Sequence, residues 1–398
     1  MIVNNLFYIC NALDDVTRQE REIITDSPAA SRKVFLMCQA ARQAGVRTWV
    51  ISMGRGQQNG SGHFFHSKVT RINGVATIYL PFLHYPILSE LLSLFSAIPL
   101  IWRLHQIKGK KTVLFYNRLP VYLLTLITAK VLRLNTVLDL EDGETDLNKW
   151  SMAGVKSRIF RNVFDLFCSG GALLACQALR YFTNLRPTQC CYGTSETSNA
   201  TQKWNIDTVT VLLGGTLSHD TGTQLLINAI NMMRADSSPW VKKLRFEITG
   251  KGDCLNALIK IGDKKKYPFV FVHGRTTDIE YKAILARTQV GLALKPNFGK
   301  LAHTTFPSKV IEFASNGILV LTTDISDVKK VLVGSAIYLT DDNPLTLIEK
   351  LRWIVENRME AEELSLKGIE AVASVCAPKI VGENLKQFLF QSSSGVSN

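Results

Sequence analysis

Short apolar runs alternate with segments whose apolar positions recur every three or four residues, and this alternation extends along the whole chain. Such runs are typical of strands buried in a parallel sheet, whereas the periodic segments are typical of amphipathic helices. The predicted strands are 5–10, 47–52, 112–116, 136–140, 171–175, 208–213, 244–249, 269–272, 290–294 and 318–321. The predicted helices are 32–43, 87–104, 120–134, 223–233, 279–286, 345–356 and 381–389, with a hairpin at 69–80. Strands alternating with helices predict an α/β fold built on doubly wound parallel sheets.

The length of the chain indicates more than one domain. At 398 residues it exceeds what one ordinary hydrophobic core supports. The stretch 187–201 is polar and rich in turn-forming residues, which makes it the best candidate for a linker. We therefore predict a first domain at 1–190, a second at 191–375, and a C-terminal helix within 376–398 that packs back toward the first domain.

Composition places the chain among globular proteins, since 46% of its residues are apolar and 20% are charged. No basic and apolar leader with a small-residue cleavage site opens the sequence, so we expect no secretory signal. The eight cysteines are scattered without a C-x-x-C or Cys/His metal pattern. Reduced, buried thiols in a cytoplasmic protein are the interpretation that this favours.

The net charge of +13 is concentrated in the first half of the chain. Residues 1–190 hold 22 Lys and Arg against 12 Asp and Glu, whereas residues 191–398 hold 24 against 21. A basic N-terminal half indicates an anionic partner there: nucleic acid, a phosphorylated acceptor or an anionic membrane face. The sequence contains no recognisable nucleic-acid-binding motif, so we expect no nucleic acid partner.

One apolar segment, 87–104, is nearly long enough to span a bilayer but includes Glu90, serines and Pro99. Basic residues follow it closely: Arg103, His105, Lys108, Lys110 and Lys111. An interfacial helix beside anionic lipid headgroups is one interpretation. A core helix with a solvated basic tail is the other.

Two carboxylates, Glu141 and Asp142, follow the predicted strand 136–140. In doubly wound folds, ligands bind beyond the carboxyl ends of the strands. These side chains are therefore candidates for a general base or for a group that orients an acceptor. The structural alternative is a solvated acidic turn.

The stretch 303–324 predicts a loop, a helix entered at Pro307, a stop at Gly317 and a buried strand. Hydroxyl groups and one cation surround the start of this helix, from Thr304, Thr305, Ser308 and Lys309. Helix N-termini favour anions, so these residues are candidates for holding a diphosphate, and Glu312 for accepting hydrogen bonds from a ribose. Alternatively, Glu312 is an exposed residue on a surface helix.

The second half of the chain resembles the nucleotide-sugar-dependent glycosyltransferases of family 4, which have the two-domain GT-B fold. The resemblance rests on segments in the family's order: 214–222, 248–253, 272–275, 289–296 and, most specifically, 306–320. It implies that residues 1–190 form a Rossmann-like acceptor-binding domain and 191–375 a Rossmann-like nucleotide-sugar-binding domain. The donor-binding residues implied by the motifs and the local pattern are Gly214, Gly215, Thr216, Gly250, Gly274, Arg275, Lys295, Thr304, Pro307, Ser308, Lys309 and Glu312. The predicted catalytic residues are Glu141, Asp142 and Glu312, of which Glu312 matches the family's ribose-binding glutamate.

Several positions depart from the family's pattern. Thr304 replaces a common glutamate, and an Arg and a Lys of the first Gly-rich loop are replaced by Gly215 or Thr216 and by Thr221. The family's His-Asp pair is Glu141-Asp142 here, and residues 27–31 replace its early Gly-Gly loop. Lys295, Lys300 and Lys309 are candidates for the missing charge. These departures leave open an altered donor specificity or a weakened catalyst.

The resemblance implies a retaining, metal-independent hexosyltransferase without a cofactor, and the sequence has no Asp-x-Asp motif. Its partners would be a nucleoside-diphosphate sugar, a lipid-linked or polysaccharide acceptor and an anionic membrane surface. The expected location is cytoplasmic, peripheral at the inner face of the cell membrane. Two alternatives stay open: a non-catalytic nucleotide-sugar-binding or scaffold subunit, and a GT-B sugar-nucleotide epimerase.

Overall fold

A computed structural model describes residues 2–54, 57–58, 62–143, 152–195, 203–205, 207–263, 266–296 and 303–390. The chain forms two compact units, the first comprising 1–194 with 378–398 and the second 195–377. The strands of the first unit are β1 Asn4–Cys10, β2 Ile23–Thr25, β3 Arg47–Ser52, β4 Gln57–Gln58, β5 Phe64–Phe65, β6 Lys68–Ile72, β7 Val75–Tyr79, β8 Phe82–Leu83, β9 Lys110–Tyr116, β10 Asn135–Leu140, β11 Ala172–Leu174 and β12 Thr188–Cys190. Those of the second are β13 Val209–Thr216, β14 Leu244–Lys251, β15 Phe269–Gly274, β16 Val290–Ala293, β17 Leu319–Thr323 and β18 Ala336–Leu339. The helices are α1 Asp15–Glu20, α2 Pro28–Gln43, α3 Pro86–His105, α4 Leu123–Val131, α5 Met152–Phe167, α6 Thr223–Met233, α7 Pro239–Lys242, α8 Leu255–Gly262, α9 Asp278–Arg287, α10 Lys309–Ser315, α11 Val328–Leu332, α12 Pro344–Glu356, α13 Arg358–Cys376 and α14 Pro378–Phe390.

The first unit is built on an eight-stranded sheet in the order β12-β11-β10-β9-β1-β3-β7-β6. Its strands are parallel except for β6, which pairs antiparallel with β7. The chain starts in the middle at β1, proceeds to β3 and β7 on one side, and then turns to β9 and β10 on the other. The strand order therefore reverses between β1 and β9, and such a reversal places ligand sites beyond the carboxyl ends of the strands.

The second unit contains a six-stranded, wholly parallel sheet in the order β15-β14-β13-β16-β17-β18. Here the order reverses between β13 and β16. Buried apolar side chains on these strands and on the flanking helices make one core, which includes Val211, Phe246, Leu292 and Leu321. The predicted α/β fold class with two doubly wound parallel sheets is confirmed.

Most predicted elements agree with the structure, and the differences have local causes. The hairpin turns at Asn73 and Gly74, whose φ angles of 49° and 78° are those of a tight hairpin connection. Helix α10 begins at Lys309 with Ser308 as its N-cap, so Pro307 precedes the helix instead of entering its first turn. Residues 152–167 and 358–376, for which no helix was predicted, form α5 and α13.

Helix α3 presents its large apolar side chains to solvent. It buries small or aliphatic residues: Ser89, Ser93, Ala97, Ile101 and Leu104. The exposed apolar residues are Leu88, Leu91, Phe95 and Trp102. These residues recur at helical spacing, so they form one outward stripe. Within the described part of the chain, no helix has both the length and the apolar character needed to cross a bilayer.

Candidate active site

Glycines at the carboxyl ends of β13 and β14 allow the two strands to approach closely. Gly215 pairs with Gly250, and a side chain at Gly250 would begin only 1.8 Å from the carbonyl oxygen of Gly215. Gly250 is therefore required by packing. The corresponding position at Gly215 meets only the Cε atom of Lys309, at 3.9 Å. The backbone of Gly215 thus leaves open space beside the ammonium-bearing side chain of Lys309.

Three side chains converge next to this space. Lys309, at the start of α10, donates hydrogen bonds to Glu312 Oε2 at 2.6 Å and to the hydroxyl of Tyr281 at 2.8 Å. The hydroxyl of Tyr281, on α9, donates to the same Glu312 oxygen at 2.9 Å. A side chain at Gly214 would begin 3.5 Å from the Tyr281 hydroxyl. The structure thereby brings together the predicted residues Gly214, Gly215, Lys309 and Glu312.

The ammonium of Lys309 also lies 4.6 Å from the centroid of the Tyr281 ring, within cation–π distance. The Glu312 side chain is only 11% exposed and that of Lys309 27%. An anion that entered the open space would meet a cation held in place by a phenol and a carboxylate. Glu312 is thus a partly buried residue, and the alternative of an exposed surface glutamate does not fit these contacts.

Lys295 follows β16, on the other side of the strand-order reversal. Its backbone N–H donates to Thr323 Oγ1 at 3.1 Å, and its ammonium contacts the hydroxyl of Thr305. Thr304 and Thr305 are buried, so neither is a flexible surface hydroxyl. Lys295 therefore provides a second cation at the carboxyl ends of the central strands, whereas Lys300 lies outside the described residues.

The first Gly-rich segment is held by its own hydroxyl groups. Thr221 Oγ1 donates to the carbonyl of Thr216 at 2.7 Å, and Ser218 N–H donates to Thr221 Oγ1 at 3.1 Å. Thr216 ends β13 and is exposed. Thr221 stands where the resemblance expects a basic residue, and its hydroxyl stabilises the turn.

The remaining residues predicted for the donor site lie at the start of α10 and at the end of β15. Pro307 and Ser308 accept backbone hydrogen bonds that open α10, from Val310 at 2.9 Å and from Glu312 at 3.3 Å. Gly274 ends β15 and Arg275 follows it, and β15 is separated from β13 by β14. Arg275 lines a shallow cavity of about 280 Å³ together with His273, Thr276, Glu280, Ala283, Ile284 and Arg287.

A buried carboxylate that was not predicted from the sequence bonds to two residues that line this cavity, His273 and Arg287. Glu247, on β14, is fully buried and accepts hydrogen bonds from Arg245 Nε at 2.8 Å and from Arg287 Nε at 3.1 Å; it also bonds to His273. Burial opposes its ionisation, but hydrogen bonds from Arg287 and His273 outweigh this and lower the pKa of Glu247. Because Arg287 ends α9, the cluster fixes the helix that carries Tyr281.

In the first unit, Glu141 follows β10 and its side chain turns inward. It accepts a hydrogen bond from the ammonium of Lys33 on α2, and its backbone N–H donates to Asn117 Oδ1 at 2.8 Å. The Lys33 side chain is 9% exposed and that of Glu141 14%. Asp139, fully buried two residues earlier, accepts a hydrogen bond from the Tyr8 hydroxyl. Asp142 is exposed, so the predicted pair occupies two different environments.

Burial sets the protonation of this cluster. It raises the pKa of Glu141, the ammonium of Lys33 opposes the rise, and Asp139 adds to it, leaving a pKa of about 8. Burial lowers the pKa of Lys33, but the charges of Glu141 and Asp139 outweigh this and raise it overall. Glu141 therefore releases its proton at a higher pH than an ordinary carboxyl group, beside an ammonium group that stays charged. A carboxylate in a solvated acidic turn would not be buried against an ammonium group. The alternative of a solvated acidic turn therefore fits the exposed Asp142 but not Glu141.

Comparisons with known proteins agree with this architecture. Residues 232–375 match the family described as Glycosyl transferase-like. No curated protein sequence matches the chain. The structure of HepE from Anabaena, solved in complex with UDP and glucose, is similar with a TM-score of 0.68, at 12% identity over 97% of this chain and 99% of that one.

Two further solved structures are similar over almost their whole length. TarM has a TM-score of 0.67 at 9% identity, covering 98% of this chain and 99% of that one. The α,α-trehalose 6-phosphate synthase from Burkholderia multivorans has a TM-score of 0.64 at 9% identity, covering 97% and 96%. These likenesses confirm the predicted GT-B fold. The family match covers residues 232–375, which lie within the predicted second domain; it confirms the predicted resemblance to glycosyltransferases and is consistent with family 4.

Proposed function

We propose that this protein is a retaining hexosyltransferase that moves a sugar from a nucleoside-diphosphate donor to a lipid-linked or polysaccharide acceptor. The observation that carries the proposal is the cluster of Lys309, Tyr281 and Glu312 beside the open position at Gly215. Its three side chains lie on α9 and α10, in the stretch that matches the glycosyl transferase-like family, beside the carboxyl end of β13, and this fold class binds ligands at such strand ends.

Each member of the cluster has a role in this proposal. The space at Gly215 accepts the diphosphate, whose charge Lys309 balances, with Lys295 as a second cation. Glu312 accepts hydrogen bonds from the ribose hydroxyls. As the bond to the sugar breaks, negative charge grows on the leaving diphosphate, and a fixed cation stabilises that charge. No metal or cofactor is needed for this step.

The donor nucleotide to test first is UDP, because HepE was solved with UDP and glucose. On the acceptor side, we assign Glu141 to orienting the acceptor hydroxyl and exchanging its proton. A carboxyl group with a pKa of about 8 exchanges protons readily near neutral pH. Asp142 is the exposed neighbour that would contact the acceptor directly.

We further propose that the first unit binds the cytoplasmic membrane face through α3. The helix exposes the apolar residues Leu88, Leu91, Phe95 and Trp102, with exposed Arg103 and Lys108 at its end. Apolar side chains flanked by cations suit an interface rich in anionic lipid. Lys110 is a poorer test position, because its ammonium donates to the carbonyl of Phe390 at 3.2 Å.

A screen of nucleoside diphosphates by thermal shift tests donor binding directly. A ligand at about 100 times its dissociation constant should add about 2.7 kcal/mol to the free energy of unfolding. Transfer of labelled sugar from the selected donor to membrane-extracted acceptors then tests catalysis, and the anomeric configuration of the product tests retention. Binding without transfer would favour a non-catalytic subunit, for which Thr304 in place of the family's glutamate is the supporting observation. Interconversion of the donor sugar without an acceptor would favour the epimerase.

A further inference from the structure

A second cluster of polar side chains lies in the first unit, outside the proposed transfer site. Glu22 occupies the turn between α1 and β2, His63 precedes β5, and His84 follows β8. The candidate ligand atoms of these three residues all lie within 4.8 Å of one another. Among the residues that the structure describes, this is the one group of three or more His, Cys, Asp or Glu side chains arranged so closely.

The backbone holds the two histidines opposite each other. Strands β5 and β8 are antiparallel, with Phe64 facing Leu83, and the next pair along is His63 and His84. His84 N–H donates to the carbonyl of His63 at 3.1 Å, and the two ring centroids are 5.9 Å apart. Cross-strand neighbours of this kind project their side chains side by side. The pairing therefore places both imidazole rings next to the carboxylate of Glu22.

One histidine has its tautomer set by the fold. His84 is fully buried, and its Nε2–H donates to the backbone carbonyl of Arg21 at 2.8 Å. A carbonyl only accepts, so the neutral ring presents its lone pair at Nδ1. That atom lies 3.9 Å from Glu22 Oε2, and His63 Nδ1 lies 3.6 Å from Glu22 Oε1. Metal-binding histidines are commonly oriented by such a backbone carbonyl.

We propose that Glu22, His63 and His84 bind a zinc ion. Two ligands of a tetrahedral zinc ion, each about 2.0–2.1 Å from it, are about 3.3–3.4 Å apart. The two separations from Glu22, 3.6 and 3.9 Å, are close to this value, and all three ligand atoms, which lie within 4.8 Å of one another, would move closer together around the ion. Two imidazoles and one carboxylate suit zinc better than calcium or magnesium, which prefer oxygen ligands. The three residues are far apart in sequence, which explains why no spacing pattern reveals the site. The proposal does not rest on the proposed sugar transfer.

Bound zinc would join the turn after α1 to the β5–β8 pair. The experiment is calorimetric titration of Zn²⁺ into the metal-stripped full-length protein. We expect one equivalent to bind. His63→Ala or Glu22→Gln should weaken that binding by about tenfold to a hundredfold. Both residues are exposed enough for the variants to fold, unlike buried His84. His66→Ala is the matched control, since His66 is a nearby exposed histidine outside the cluster.

Two further measurements separate this site from binding elsewhere. Substituted Co²⁺ should give tetrahedral visible absorption without the intense near-ultraviolet band of a cobalt thiolate, because the eight cysteines are not among the proposed ligands. Zinc should also slow hydrogen exchange around residues 21–25 and 62–84 in the wild type but not in His63→Ala. Unchanged zinc affinity in His63→Ala and Glu22→Gln, an equal loss in His66→Ala, or a thiolate band would each overturn the proposal.

Discussion

Replacing Glu312 separates a donor-binding role from a structural one. Glu312→Ala removes the carboxylate that would accept ribose hydroxyls, and Glu312→Gln keeps its size but removes its charge. Hydrogen bonds to charged groups contribute about 1.5–3 kcal/mol each, and about 1.4 kcal/mol corresponds to a tenfold change in affinity. We therefore expect Ala to weaken nucleotide binding by about ten- to a hundredfold and Gln by less. Transfer should fall at least as far, because a loosened donor is also misplaced.

The folded structure should survive both substitutions. The Glu312 side chain bonds to Lys309 and Tyr281, and the Lys309 ammonium is partly exposed, so water can solvate it once its partner is removed. The bonds that end the helix use the backbone carbonyl of Glu312 instead. That carbonyl accepts from Ser315 Oγ at 3.1 Å and from Asn316 Nδ2 at 2.8 Å, and neither substitution removes it.

The assay is calorimetric titration of the donor nucleotide into each variant, with melting curves recorded alongside. Glu356→Gln is the charge-matched control, because Glu356 is exposed and pairs along α12 with Arg352 at 2.8 Å. Tyr281→Phe tests the cluster itself, since it deletes the hydroxyl that bonds both Lys309 and Glu312. A lower melting temperature with unchanged nucleotide affinity in the Glu312 variants would refute the donor-site reasoning.

Four other outcomes are expected. Saturating EDTA should leave transfer unchanged at a temperature where the treated protein stays folded; activity lost and then restored by Mg²⁺ or Mn²⁺ would contradict the metal-independent mechanism. Anionic vesicles should bind the protein and release it as salt rises, and an Arg103→Gln, Lys108→Gln double variant should bind less in sedimentation assays; equal binding to neutral vesicles would exclude the electrostatic account. Glu141→Gln and Asp142→Asn should lose transfer while keeping nucleotide affinity, and a collapse of that affinity would assign the turn to the donor. Because the pKa of Glu141 is raised above its ordinary value, the folded chain keeps a proton that the unfolded chain releases between about pH 4.5 and 8. The free energy of unfolding should therefore fall as pH rises through that window, and less steeply in Glu141→Gln; equal slopes in denaturant titrations would contradict the raised pKa.

The fold was predictable because its signals are local. Strands such as β17 appear as uninterrupted apolar runs, and Gly317, with φ of 65°, ends α10 where the pattern predicted a stop. Helix α13 was missed because its apolar positions are weakly periodic and no strong stop separates it from α12. The site was predictable only where a family motif covers it, as at Lys309 and Glu312. Tyr281 came from another helix, and no spacing in the sequence connects it to Glu312.

Charged residues inside apolar strands were the available signal that sequence reasoning did not use. Asp139 and Glu247 each interrupt a run of buried strand residues, and an unpaired carboxylate there would be costly. Each therefore implies partners that must come from elsewhere in the fold. The partners are Tyr8 for Asp139 and Arg287 with His273 for Glu247. The sequence indicates that such partners exist, but only the folded structure identifies them.

The roles of the two glycines at the ends of β13 and β14 also depend on partners that only the fold identifies. Gly215 and Gly250 both have positive φ angles, 120° and 131°, so both positions disfavour any other residue. A glycine-rich turn read from sequence therefore predicts a ligand at either position equally well. What differs is the surroundings: a side chain at Gly250 would strike the backbone of β13, whereas at Gly215 it would enter the space beside Lys309. One glycine serves the packing of two strands and the other leaves room for a ligand, and that distinction depends on side chains far away in the sequence.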